Sequence, residues 1–179
     1  RYNQEHANIR RDFGRSLIAY AHRQGIQVLL GFTPFGYDGV NQYPAEHPEL
    51  KAIQKNGQPV EKWGIHSWGW NLCPSHAESQ RFMREYVREM YFDFYPEADG
   101  LFIESSDYAI CHCPGCQGRF FDREFQFVEA ISREVWEQKP KATVVVYPHY
   151  FSGSKVPGFD VAASTKSFDP RWSLCFTPH

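Results

Sequence analysis

Most of the features that assign a chain at first sight are missing from this one. No apolar stretch approaches the roughly 18–20 residues of a membrane-spanning helix, so no membrane partner is expected. Neither sign of charge gathers into a run: 19 Lys and Arg face 21 Asp and Glu for a net charge of -2, and without a basic stripe no nucleic-acid partner is expected. The five cysteines are odd in number and clustered, three of them within residues 111–116, which argues against a disulfide framework. No G-x-G-x-x-G follows an expected strand and no G-x-x-x-x-G-K-[ST] occurs, so nucleotide binding loses its usual support. H-E-x-x-H, G-x-S-x-G and kinase signatures are absent too. No charged-then-apolar leader opens the chain, but its first residue is Arg1, so a cytoplasmic or an exported location is left open.

What is present is a globular composition. The 179 residues suffice for one domain with a core, 42% are apolar, and fifteen Phe, ten Tyr and five Trp exclude disorder, collagen-like repeats and coiled coil. Residues 5–24 carry Ile9, Phe13, Leu17, Tyr20 and Ala21 at helical spacing, with Gly25 where a left-handed residue would end the helix. The apolar run 26–32 then predicts a strand buried on both faces. Ser75 and Glu78 have capping-box spacing before Phe82, Tyr86, Val87, Met90 and Phe94, Pro96 stops that helix, and 100–104 (GLFIE) is the next strand. Phe121, Phe125, Val128, Ile131 and Val135 define a third helix, ended by Pro140 and followed by a strand at 143–147. Residues 161–165 are a candidate fourth strand.

Helices alternating with apolar strands predict an α/β fold with a parallel sheet. Polar and aromatic residues follow each strand end, at 32–37, 104–107 and 147–149, which is where barrel enzymes keep their chemistry. A full barrel takes about 250 residues. Three or four strands therefore predict a partial (β/α)8 TIM barrel, with residues 1–179 forming part of one barrel domain that carries a long loop, 33–74, and a cysteine loop, 105–118.

The long loop holds Trp63, Trp68 and Trp70. Indole faces suit the C–H surface of a pyranose, and the same residues would equally pack the loop's own small core. In the cysteine loop, Cys111-His-Cys-Pro-Gly-Cys116 reads C-x-C-x-x-C, a turn that gathers three sulfurs, and tetrahedral zinc needs a fourth ligand. Cys73, just before a helix, is the candidate, and His112 points the wrong way. Four sulfurs leave no position for water, so such a zinc would be structural. Buried or redox-active thiols and an iron–sulfur cluster are the alternatives. Cys175 reads as a small core residue.

Cys73-Pro74 before a helix, Glu104 ending a strand, Cys111-x-Cys113-x-x-Cys116 and Phe120 opening the next helix together resemble the barrel glycoside hydrolases of the family 42 beta-galactosidase type, over about 50 residues. The resemblance implies that Glu104 is a general acid/base, that the four cysteines hold zinc, and that the substrate is a glycoside or an oligo- or polysaccharide. The family has Asn before its acid, where this chain has Ile103, so Asp107 stands as the competing acid. Hydrolysis needs a second carboxylate across the scissile bond, and in related barrels it comes from a later strand. Tyr37, Asp38, Trp68, Trp70, Tyr108 and His149 are the candidate substrate-binding residues. Three other readings remain: Glu104 as an ion-pair partner of an arginine such as Arg119, a non-catalytic carbohydrate-binding or scaffold barrel, and a cysteine-ligated redox enzyme.

Overall fold

The computed structural model of the chain describes residues 12–36, 43–59, 70–105, 111–116, 119–147 and 167–175. Helix α1 (Phe13–Arg23) leads into strand β1 (Leu29–Phe32). A short helix α2 (Tyr43–Glu46) and one 3-10 turn (Pro48–Leu50) follow. Helix α3 (Ala77–Arg88) continues as a π-helical turn (Glu89–Phe94) and leads to β2 (Gly100–Glu104). Helix α4 (Phe120–Gln138), β3 (Thr143–Tyr147) and a two-residue β4 (Ser173–Leu174) complete the order.

All strand pairings are parallel, and the spatial order β1-β2-β3-β4 is the sequence order. A doubly wound sheet would reverse its order at a switch point. Strands laid down one after another, with helices packed on one face, form part of a (β/α) barrel, as expected from the sequence. β2 and β3 have the bounds read from it. The predicted strand at 161–165 lies outside the described residues, and β4 stands further on. Among the described residues no helix is long and apolar enough to cross a membrane.

The strands are not buried on both faces. Leu101, Ile103, Val144 and Val146 are fully buried in one cluster with Met83, Val87, Val128 and Ile131 of the helices. Alternate residues Phe102, Glu104, Val145 and Tyr147 are only half-buried, and Gly31 of the edge strand is exposed. The physical reason is that side chains alternate in period two. One set meets helices, whereas the facing strands that fill a barrel's interior are not among the described residues.

Two helices turn a different stripe inward than periodicity predicts. In α1 the predicted Phe13, Leu17 and Tyr20 are exposed, Ala21 is buried as predicted, Ile18 is buried beside it, and Ile9 lies outside the described residues. Gly14 is the cause: a Cβ there would collide with the Tyr95 ring, so the helix seats its smallest residue against that ring and swings the larger ones outward. Gly25 does adopt the left-handed conformation, at φ 72°. In α3 the fully buried residues are Ser79, Met83 and Val87, with Tyr91 beyond, while Phe82, Tyr86 and Met90 pack along their flank and Phe94 is exposed. Helix α4 buries Val128, Ile131 and Val135 as expected, with Phe121 and Phe125 partly buried. Its Ser132 hydroxyl accepts the Trp172 indole N–H at 2.9 Å and donates to the Val128 carbonyl, which ties the approach to β4 onto the helix.

Candidate functional site

Three separate segments meet beyond the C-terminal ends of the strands. The long loop folds back through antiparallel bridges, Lys51 to Leu72 and Ile53 to Pro59. The Leu72 N–H donates to the Phe35 carbonyl just past β1, and the Cys73 N–H donates to the Leu50 carbonyl. Cys73 is thereby fixed by backbone bonds on two sides. The cysteine loop then docks on the same hairpin: His112 N–H donates to the Ile53 carbonyl at 2.7 Å, and Ile53 N–H donates to the Cys111 sulfur at 3.3 Å. Cys113 to Cys116 closes as a turn, and the Arg123 guanidinium holds it by donating to the Gly115 carbonyl.

These bonds bring four sulfurs together. Cys73 Sγ lies 3.5 Å from each of the Cys111, Cys113 and Cys116 sulfurs, and all four lie within 4.8 Å of one another. Sulfurs bound at about 2.3 Å around a tetrahedral zinc stand roughly 3.8 Å apart. The donor set fits: four buried cysteine sulfurs, no more than 8% exposed, that can hold a metal ion. Hydrogen bonds from Cys116 and then Cys73 lower the Cys111 thiol to about 4, against burial, while bonding to Cys111 and Cys73 raises Cys116. His112 is not among the gathered ligands.

Against the capping-box expectation, Ser75 does not cap α3. His76 occupies the N-cap position of α3 without a side-chain bond. The Ser75 hydroxyl lies 3.0 Å from Cys73 Sγ and 3.3 Å from Cys113 Sγ, and Glu78 is drawn instead to Arg81 and Tyr43. Hydrogen bonding to sulfur outcompetes the cap because the cysteine turn approaches so closely: a Cβ on Gly115 would stand 2.8 Å from the Ser75 side chain. Ser75 and Gly115 are the partners that sequence reasoning missed. Their signal was proximity in sequence to Cys73 and Cys116.

Glu104 is the last residue of β2, half-buried, on the face of the sheet turned away from the helices. Arg119, the ion-pair partner considered for it, stands 3.7 Å from Asp122 at the surface. Trp70 is half-buried with Lys51 Nζ 3.8 Å above its ring centroid, and its indole N–H is buried without a hydrogen-bond partner. Tyr37, Asp38, Trp63, Trp68, Asp107, Tyr108 and His149 lie outside the described residues. Cys175 is exposed, not a core residue: its N–H extends the ladder to the Val146 carbonyl, but β4 is short and lies at the sheet edge.

No protein-family model matches the sequence, and no curated protein does. Solved structures share the fold. The chain is similar to alpha-L-fucosidase isoenzyme 2 from Paenibacillus thiaminolyticus, with TM-score 0.56 and 16% identity over 83% of this chain and 25% of that one. The glycoside hydrolase domain of PelA from Pseudomonas aeruginosa gives 0.51 and 11% identity over 82% of this chain and 53% of that domain. An alpha-galactosidase from Lactobacillus brevis gives 0.50 and 13% over 74% of this chain and 18% of that one. At these identities the likeness concerns the fold, and the chain spans little more than half of one of these proteins and about a quarter or less of the other two.

Proposed function

We propose that the chain is part of a glycoside hydrolase barrel of the family 42 type, with Glu104 as general acid/base and a structural zinc on Cys73, Cys111, Cys113 and Cys116. The observation that carries the reading is positional. Glu104 ends β2 on the open face, and the loop that follows it is pinned through the sulfur cluster to the hairpin following β1. A carboxyl held at a strand's C-terminal end can protonate a leaving glycosidic oxygen, and its second carboxylate partner comes from elsewhere in the barrel, about 5–9.5 Å across the bond. Zinc bound by four thiolates would offset half of their charge and cross-link the loops, leaving the chemistry to the carboxyls. Tyr37, Asp38, Trp68, Trp70, Tyr108 and His149 would line the sugar site, and Asp107 is the alternative acid.

The test is Glu104→Gln in the full-length protein. Hydrolysis should fall by roughly 10²–10⁴-fold, the usual contribution of a general acid. Unchanged hydrolysis alongside a collapse in Asp107→Asn would move the role to Asp107. Elemental analysis should find one zinc per chain. Iron with visible absorption would replace this reading with cysteine-ligated redox chemistry.

A further inference from the structure

We infer that Tyr147 is a further sugar-contacting residue, standing beside Glu104 on the same rung of the sheet; the assignment rests on the glycosidase reading above. Glu104 and Tyr147 are register partners across the parallel β2–β3 pair. Neighbouring parallel strands lie about 4.8 Å apart, and residues in register point to the same face. That face is the one turned away from the helices, because the residues preceding both, Ile103 and Val146, are fully buried among helical side chains.

The rung below is made by Phe102 and Val145, also partners in register and also half-buried. The open face of β2 and β3 therefore changes along the strands from an apolar pair to a carboxyl and a phenol at the C-terminal rim. A pyranose needs that combination: apolar surface for its C–H face, and donors and acceptors for its hydroxyls. A phenol extends further from the sheet than a glutamate carboxyl, so Tyr147 can reach the sugar whose glycosidic oxygen Glu104 protonates. Its backbone is hydrogen-bonded on both sides of the strand. The Tyr147 carbonyl accepts the Ser105 N–H at 3.2 Å, and on β3's other side Val146 accepts from Cys175. A side chain on such a locked strand end meets a ligand at low entropic cost.

The experiment uses the full-length protein and four probes, the p-nitrophenyl α-galactoside, β-galactoside, α-fucoside and β-glucoside, read on whichever is turned over. Tyr147→Phe should raise KM about 3–10-fold, the loss of one hydrogen bond, and leave kcat within about 3-fold. Tyr147→Ala should raise KM further. The acidic and basic limbs of the pH profile should not move in Tyr147→Phe, because the contact is to substrate and not through Glu104. An unchanged KM in both variants, or a shifted pH limb with unchanged KM, would overturn the assignment. Equal melting temperatures of wild type and Tyr147→Phe separate a lost contact from a loosened strand. Glu104→Gln in parallel keeps the two readings apart: unaltered hydrolysis there with a raised KM in Tyr147→Phe removes the acid assignment and keeps the contact, and the converse pattern does the reverse. A wild-type protein that turns over none of the probes overturns both.

Discussion

The two ends of the sheet are held by different physics. At the N-terminal end the connections are short and the bonds are mostly backbone. Asp99 donates its N–H to the Val28 carbonyl, accepts the Val28 N–H on its carboxylate at 2.7 Å, and passes its own carbonyl to the Thr143 N–H. Lys139 caps the same end by donating to the Pro96 carbonyl while its ammonium sits 3.7 Å over the Tyr91 ring. At the C-terminal end long segments meet through four sulfurs and a few backbone bonds. One rim is built by the sheet itself, the other by side-chain chemistry laid over it. Barrel enzymes divide stability and reactivity between these two ends.

The contrast is sharpest if each end is broken separately. The largest effect is expected from Cys73→Ser, which removes the sulfur furthest in sequence from the C-x-C-x-x-C turn: with the proposed zinc site lost, metal content by elemental analysis should fall toward zero, at a cost on the order of 4 kcal/mol in chemical denaturation. Hydrogen exchange should quicken at residues 50–53 and 111–116 and stay slow in β2 and β3. Equal loss of protection at both ends would erase the distinction. Gly100→Ala attacks the other end. A Cβ there would collide with the Thr143 carbonyl, a backbone atom that cannot step aside, and about 3 kcal/mol should be lost with metal content intact.

Asp99→Ala should cost less, about 2 kcal/mol, by leaving the Val28 N–H without its acceptor. Burial would raise the Asp99 carboxyl, but the Val28 N–H and His22 bonds outweigh it and hold it below its ordinary 3.8. A carboxylate depressed on folding stabilises fully above its unfolded value, and the contribution fades as pH falls through the folded one. The difference between wild type and Asp99→Ala in denaturation midpoints should therefore be constant near neutrality and narrow below about pH 4. A difference that grows in acid would contradict the assigned bonds. Smallest of all is Arg81→Ala. Its pairs with Glu78 and Glu85 lie on the exposed flank of α3, and the melting temperature should not measurably change.

Legibility followed the range of the interactions. β2 and β3 could be read to the residue because each is a continuous apolar run bounded by Pro96 and Gly100 or by Pro140. Helix α1 was found, yet its inner face was off by one position, because the deciding contact is Gly14 against Tyr95, some 80 residues away. β4 escaped notice since two polar-edged residues carry no periodic signal, and Cys175 was misplaced with it. At the sulfur site the four cysteines that gather could be named as candidates from spacing and context, whereas Ser75 looked like a cap because local rules describe helices and not what lies across from them.

The residues alone determined the alternation of helix and strand, and with it the parallel sheet, because both are set by period and by Pro and Gly at the boundaries. They also determined that three thiols share one turn. Only the tertiary structure decided which face of each strand stays open, that Glu104 and Tyr147 stand on one rung, and that Cys73 closes the cluster from nearly 40 residues away. Side-chain alternation says that two faces exist, but a face becomes inner or outer only when helices pack on it, and sulfurs converge only once the ladder has set the distances between loops.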